Sequence, residues 1–198
     1  MEYKTKRLLI TGISLFLLFM LYIFKNFSLS IRILGTVFGL WVFYLFDHAF
    51  EEEFQLKHYF YVIIILIFGV LLSPLYFLSS NYDKILHLIL PIFGSILIFF
   101  IVDKQKISFQ WKIVITFMFI VSILAFHEIG EFILDKIWDL KLQGVYLRDM
   151  SGLEKYQLFL PLNDDTMIDM IFGIIGGGFF AIGKSLSYYY KKKFKKMR

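Results

Sequence analysis

The chain has 198 residues, of which 59% are hydrophobic and 20% aromatic, a composition far more apolar than that of a soluble domain of this size. It contains no cysteine, which excludes disulfide bonds, thiolate metal ligands and cysteine nucleophiles. The net charge of +5 is concentrated in a basic tail, residues 191–198, which indicates contact with anionic membrane lipids rather than with nucleic acid.

Six apolar segments are each long enough to cross a hydrocarbon core of about 30 Å. In chain order they cover residues 8–25, 32–50, 58–79, 84–102, 111–135 and 166–187. No small-x-small cleavage site follows the first segment before Lys25, so we interpret it as a retained helix rather than a signal peptide. The segments predict an all-α, polytopic helix bundle in the cell membrane, with residues 1–198 forming a single integral membrane domain.

The distribution of basic residues predicts that both termini are cytoplasmic. This orientation places the basic residues before the first helix, the loop with Lys104, Lys106 and Lys112, and the basic tail on one side of the membrane. The positive-inside rule requires such an arrangement, and an even number of helices agrees with it.

Two features lie near the ends of the second and third helices. A polar group follows the second helix and is continuous with a loop, so we interpret it as a solvated juxtamembrane turn; it comprises Asp47, His48, Glu51, Glu52, Glu53 and His58. Ser73-Pro74 indicates a kink or the end of the third helix.

Ionisable side chains interrupt the fourth and fifth helices, where charge is costly and commonly marks a functional site facing the bundle interior. The fourth helix begins with Asp83 and His87, and a spacing of four places both on one helix face. The fifth ends with a polar stripe within an arc of about 100°, formed by His127, Glu128, Glu131 and Asp135.

The sixth helix begins with Asp164, Asp165 and Asp169, of which the last two lie one turn apart on one face. Gly173 and Gly177 continue that face, and small residues let a neighbouring helix approach closely in lipid. In the predicted topology the polar ends of helices four, five and six all lie at the extracytoplasmic boundary. The alternative is that each group only caps or solvates its own helix end.

So many carboxylates cannot all be ionised close together without a cation, and a divalent metal ion is the simplest neutraliser. An oxygen-rich ligand set suits Mg²⁺, Mn²⁺, Ca²⁺ or iron, while the histidines leave Zn²⁺ open. The predicted metal ligands are Asp83, His87, Glu128, Glu131, Asp165 and Asp169. His127 is the candidate general base.

Three short motifs in these helices resemble those of the YjdF-like family, a group of uncharacterised bacterial inner-membrane proteins. Residues 81–87 are similar to its N-Y-D-[KR]-x-x-H element, residues 128–132 to E-x-x-E-W and residues 165–170 to D-T-x-x-D-M. Position by position, the resemblance implies the same six residues as the characteristic set. It covers about residues 79–178, has Phe132 in place of tryptophan, and implies no activity.

Three functions stay open at this point. The first is a hydrolase-like membrane metalloenzyme acting on a lipid or lipid-linked phosphate, with a spare carboxylate or His127 as general base. The second is a cation or proton transporter that uses the same carboxylates, and the third is a non-catalytic membrane scaffold. The segment from Lys136 to Leu162 is predicted to be an extracytoplasmic loop that acts as a lid over the site.

Overall fold

The computed structural model describes residues 3–138, 141–148 and 156–196, most of which are helical. The helices are α1 Tyr3–Phe24, α2 Phe27–Ala49, α3 Leu56–Leu66, α4 Tyr82–Asp103, α5 Phe109–Trp138 and α6 Leu162–Lys196, and the strands are β1 Val145–Arg148 and β2 Tyr156–Leu160. All the helices except α3 are long and apolar enough to cross a membrane. The predicted helix bundle is confirmed.

The third helix is shorter than the sequence indicates. The α-helical part ends at Leu66 and continues as a π-helical turn, Ile67–Leu71, and then a 3-10 helix, Ser73–Phe77. Pro74 has no backbone N–H to donate, which disfavours regular α-helix around it. The prediction of a continuous helix over 58–79 is therefore wrong, while the expected break at Ser73-Pro74 is present.

The chain folds into two compact units, Met1–Ser73 and Pro74–Arg198. The first unit contains α1, α2 and α3. The second contains α4, α5, α6 and the hairpin of β1 and β2. The three polar helix ends that the sequence singles out all belong to the second unit.

The first unit is built around a buried carboxylate, that of Asp47, which is 0% exposed. Its Oδ2 lies 2.6 Å from Nζ of Lys6 in α1 and accepts a hydrogen bond of 2.6 Å from the hydroxyl of Tyr59 in α3. Its Oδ1 accepts a hydrogen bond of 3.0 Å from the backbone N–H of Phe54. We call these four residues the Asp47 cluster. Both oxygens of the Asp47 carboxylate have partners, and these contacts join the three helices of the unit.

The prediction of a solvated turn at the end of α2 is therefore wrong for two of its residues. Asp47 and His58 are buried, and only part of the segment is solvated, with Glu51 and Glu53 exposed. The reason is that Lys6, itself 1% exposed, supplies the counter-charge that makes burial of the aspartate favourable.

In the second unit, the glycines of α6 allow close helix packing. Gly176 lies against the backbone of Leu88 in α4, where a Cβ atom would collide with the carbonyl oxygen. Gly173 and Gly177 face side chains of α5, namely Leu124 and Ile120. The absence of side chains at these positions lets α6 approach both neighbouring helices.

Replacing Gly176 with alanine is expected to destabilise the protein by about 1–3 kcal/mol, because the added methyl group meets backbone rather than a flexible side chain. Gly178→Ala is the matched control, since no atom lies within 4 Å of a Cβ built there. Unfolding in an SDS titration measures both variants. Equal stability of the two would contradict the close α4–α6 contact.

The segment predicted to be an extracytoplasmic loop contains an antiparallel hairpin. Val145 pairs with Leu160 and Arg148 with Tyr156, and a register shift follows Val145. The tip of the hairpin lies outside the described residues. The predicted loop therefore contains regular structure, because Val145–Arg148 and Tyr156–Leu160 pair their backbone groups with each other, and its extracytoplasmic position stays a prediction. The lid function stays a prediction.

Asp135 connects the hairpin to the end of α5. Its two carboxylate oxygens accept hydrogen bonds from the backbone N–H groups of Leu142, at 2.9 Å, and Gln143, at 2.8 Å. The Gln143 amide in turn lies 3.3 Å from the hydroxyl of Thr166 in α6. Asp135 therefore positions the chain before β1. The sequence analysis had grouped it with the polar stripe at the end of α5.

Candidate metal centre

The polar ends of α4, α5 and α6 meet within the second unit. Helices α4 and α6 contribute residues from their N-terminal eight positions, and α5 contributes residues from its C-terminal half. The buried polar side chains at this point are Asp83, His87, Glu128, Asp165 and Asp169. These are all of the sequence-predicted ligands except Glu131, and we call them the α4–α6 cluster.

One part of the cluster has the spacing of a metal-ligand set. Ligand atoms of Asp83, His87 and Asp169 all lie within 4.8 Å of one another, and all three residues are buried. The Asp83 Oδ1 to His87 Nε2 distance is 3.4 Å. Metal-to-ligand distances are about 2.0–2.6 Å, so ligand atoms up to about twice that far apart can share one ion. We call these residues the first triad.

A second triad shares one member with the first. Ligand atoms of His87, His127 and Glu128 also lie within 4.8 Å of one another. The two imidazole rings are 5.6 Å apart between centroids and nearly perpendicular, and Nε2 of His87 is 3.7 Å from Oε1 of Glu128. His127 is exposed while the other two are buried. The second triad therefore links the buried cluster to the protein surface.

Two carboxylate oxygens in the cluster are buried with no hydrogen-bond partner among the described residues, Oε1 of Glu128 and Oδ1 of Asp169. Their residues are 5% and 2% exposed. A buried acceptor left unpaired is costly, and a bound ion is one of the few accepted explanations for it in native proteins. These oxygens belong to different triads, so each triad contains an acceptor available to a ligand.

Sequence reasoning missed Lys84 as a member of the site. Its ammonium hydrogen-bonds Asp165 and lies 3.3 Å from Oδ1 of Asp169 and 3.4 Å from Oδ2 of Asp83. The signal was present in the sequence, because Lys84 occupies the [KR] position of the motif that contains Asp83.

Tyr76 is a second residue that the sequence did not reveal, because no motif or helical spacing connects it with the cluster. Its hydroxyl, in the 3-10 helix, donates a hydrogen bond to Oδ1 of Asp83. This hydrogen bond holds the orientation of the Asp83 carboxylate.

Glu131 is the only one of the six predicted ligands that is not buried. It belongs to neither triad, and its Oε1 lies 3.7 Å from Nδ1 of His127. Among the described residues, the ammonium of Lys84 therefore faces the carboxylates of Asp83, Glu128, Asp165 and Asp169, with Glu131 nearby. One ammonium group cannot offset that many buried negative charges, so the arrangement is suited to a divalent cation.

Comparison with known protein families relates most of the chain to a family of membrane proteins. A family model described as "Predicted membrane protein (DUF2238)" matches residues 7–191, a range that includes every residue of the two triads. No curated protein and no solved structure matches the chain. The description of the family states a membrane location and gives no activity.

Proposed function

The chain belongs to the DUF2238 family of multi-pass membrane proteins, the YjdF-like family that its motifs resemble, and we propose that it is a metal-dependent enzyme acting on a lipid phosphate. The observation that carries this proposal is that two buried carboxylate oxygens beside His87, Oε1 of Glu128 and Oδ1 of Asp169, accept no hydrogen bond, although the Lys84 ammonium lies 3.3 Å from the second. A purely structural network would give both acceptors hydrogen-bond donors.

The first triad would hold the cation. Asp83 and Asp169 supply two negative charges, which match the charge of a divalent ion, and His87 supplies an imidazole nitrogen. Mixed carboxylate and imidazole ligands suit Mn²⁺, Fe²⁺ and Zn²⁺. When bound there, the ion would polarise a phosphoryl oxygen and offset the charge that develops on it.

The second triad would accept the proton of the attacking water molecule. Oε1 of Glu128 accepts a proton from a water molecule while the oxygen of that water attacks phosphorus and the bond to the lipid oxygen breaks. The leaving lipid oxygen takes up the proton that Glu128 accepted, so the products are an alcohol and inorganic phosphate, and the exposed His127 would exchange protons with solvent. Lys84 lies close enough to bind the phosphate oxygens.

The position of the cluster favours an enzyme over the transporter alternative. Beyond the cluster α4 and α6 touch at Leu88 and Gly176, and the buried side chains of that region include Phe99 and Ile120. In the described part of the second unit, no charged side chain is buried past this contact. Transporters that carry ions between two faces place the ion site near the middle of the helices.

Metal binding is the first test of the proposal. Asp169→Asn is expected to lower the affinity for Mn²⁺ at least about a hundredfold, because it removes a direct ligand. Asp164→Asn is the matched control, since Asp164 is an exposed aspartate in the first turn of the same helix. Titration of the purified proteins with Mn²⁺, followed by electron paramagnetic resonance, measures both. Equal affinities would contradict the metal site.

Turnover is the second test of the proposal, and it separates catalysis from metal storage. Glu128→Gln is expected to retain Mn²⁺ in the first triad and to lose phosphate release from lipid phosphates. Free phosphate released from vesicles that contain prenyl or alkyl phosphates provides the measurement. A variant that binds Mn²⁺ and releases phosphate at the wild-type rate would contradict the role of Glu128.

A further inference from the structure

A groove of about 460 Å³ lies beside the α4–α6 cluster. Three elements of the second unit form its apolar walls, with Ile85 and Leu88 from α4, Val145 and Phe159 from the hairpin, and Ile168 and Phe172 from α6. Its volume falls in the range of about 300–1,000 Å³ that is usual for small-molecule sites. The groove is therefore large enough to hold part of a lipid.

The groove opens onto the apolar surface of the helices. Ile85 is 50% exposed and Phe159 66% exposed, although both line the groove. Ile85 lies in the membrane-spanning helix α4, where an exposed apolar side chain faces the hydrocarbon of the bilayer, and Phe159 lies in β2 of the hairpin. A lipid chain can therefore enter from the side without leaving an apolar environment.

One of the residues that line the groove carries a positive charge. Lys84 lines it and also contacts carboxylates of the α4–α6 cluster, so one side chain belongs to both features. Ser80 and Asn81 add a hydroxyl and an amide at the start of α4. A molecule that fills the groove therefore places one end in apolar surroundings and the other beside an ammonium group.

We propose that the groove holds the hydrocarbon chain of an anionic lipid phosphate, with the phosphate beside Lys84. The proposal rests on the proposed function, because a cation in the first triad offsets Asp83 and Asp169 and thereby removes their repulsion of the phosphate. Lys84 is the only charged residue among the described residues that line the groove, so an amphiphile with a cationic headgroup is expected to bind there more weakly than an anionic one. The substrate class is thus a chain-bearing phosphate rather than a free phosphate.

Photocrosslinking tests this assignment in the full-length protein. A dodecyl phosphate that carries a diazirine near the end of its chain is added to the protein in phosphatidylcholine nanodiscs with Mn²⁺. Crosslinks are expected in β2 and in the first half of α6. Ile168→Trp, which fills the groove, is expected to reduce them roughly tenfold, a loss of one decade in affinity. Ile175→Trp, at an exposed apolar position outside the groove, is the matched control.

The other outcomes separate this inference from the metal site. Crosslinks that are unchanged in Ile168→Trp, that form equally with a dodecyl trimethylammonium probe, or that excess inorganic phosphate removes would each overturn the groove assignment. If Mn²⁺ binds as expected while these results are obtained, the metal site stands without the groove. Head-dependent crosslinks in a protein that binds no Mn²⁺ would support the groove and contradict the metal site.

Discussion

Replacing Lys6 with methionine is expected to lower the free energy of unfolding by about 3–5 kcal/mol. The substitution leaves the carboxylate of Asp47 buried at 0% exposure without its counter-charge, with the Tyr59 hydroxyl and the Phe54 N–H as its remaining partners. Hydrogen bonds alone do not offset the desolvation of a full charge. SDS titration of the purified protein, followed by circular dichroism, measures the change.

Two further variants make this prediction specific to the Asp47 cluster. Lys4→Met, at an exposed position in the same turn of α1, is expected to leave stability almost unchanged. Adding Asp47→Asn to Lys6→Met should recover part of the loss, because the unpaired charge is removed while an acceptor for Tyr59 remains. If Lys4→Met and Lys6→Met are equally stable, the buried ion pair does not hold the first unit together.

Lys84→Met is expected to have an effect of similar size on the second unit, about 3–5 kcal/mol, when metal is removed with EDTA. Lys84 contacts Asp83, Asp165 and Asp169, so its loss leaves several buried carboxylates without a cation. A ligand that binds only the folded protein stabilises it, by about 2.7 kcal/mol at a hundred times its dissociation constant. Mn²⁺ is therefore expected to recover much of the stability.

The control for this prediction is an ion pair whose carboxylate is exposed to solvent. Lys112 Nζ lies 2.9 Å from Oδ1 of Asp103, whose side chain is mostly exposed, so Lys112→Met should cost less than about 1 kcal/mol. It should also show no dependence on Mn²⁺. A Lys84→Met variant that Mn²⁺ fails to stabilise would argue against a cation beside Asp83 and Asp169.

The sequence predicts the convergence of the α4–α6 cluster because two simple rules suffice for it. Helical spacing places Asp83 and His87 on one face, and the alternation of membrane crossings brings three helix ends to the same level. Neither rule sets how far each helix rotates about its own axis. Packing between α6 and α5, at Gly173 and Leu124, contributes to that rotation, and Glu131 lies outside both triads.

Other features depend on contacts between residues far apart in the chain. The burial of Asp47 requires Lys6, which lies on a different helix, so local polarity wrongly indicated a solvated turn. The hairpin requires Val145–Arg148 and Tyr156–Leu160 to pair their backbone groups across the intervening residues 149–155. Tyr76 reaches Asp83 only because the 3-10 helix redirects the chain after Pro74.

The Asp47 cluster has a consequence for biogenesis. Its donors come from α1, from the loop after α2 and from the first turn of α3, so all three groups that bond the aspartate have been synthesised once the ribosome reaches Tyr59. These bonds need no group from α4, α5 or α6. The charge can therefore be neutralised during translation, before the part of the polypeptide that contains the α4–α6 cluster is complete.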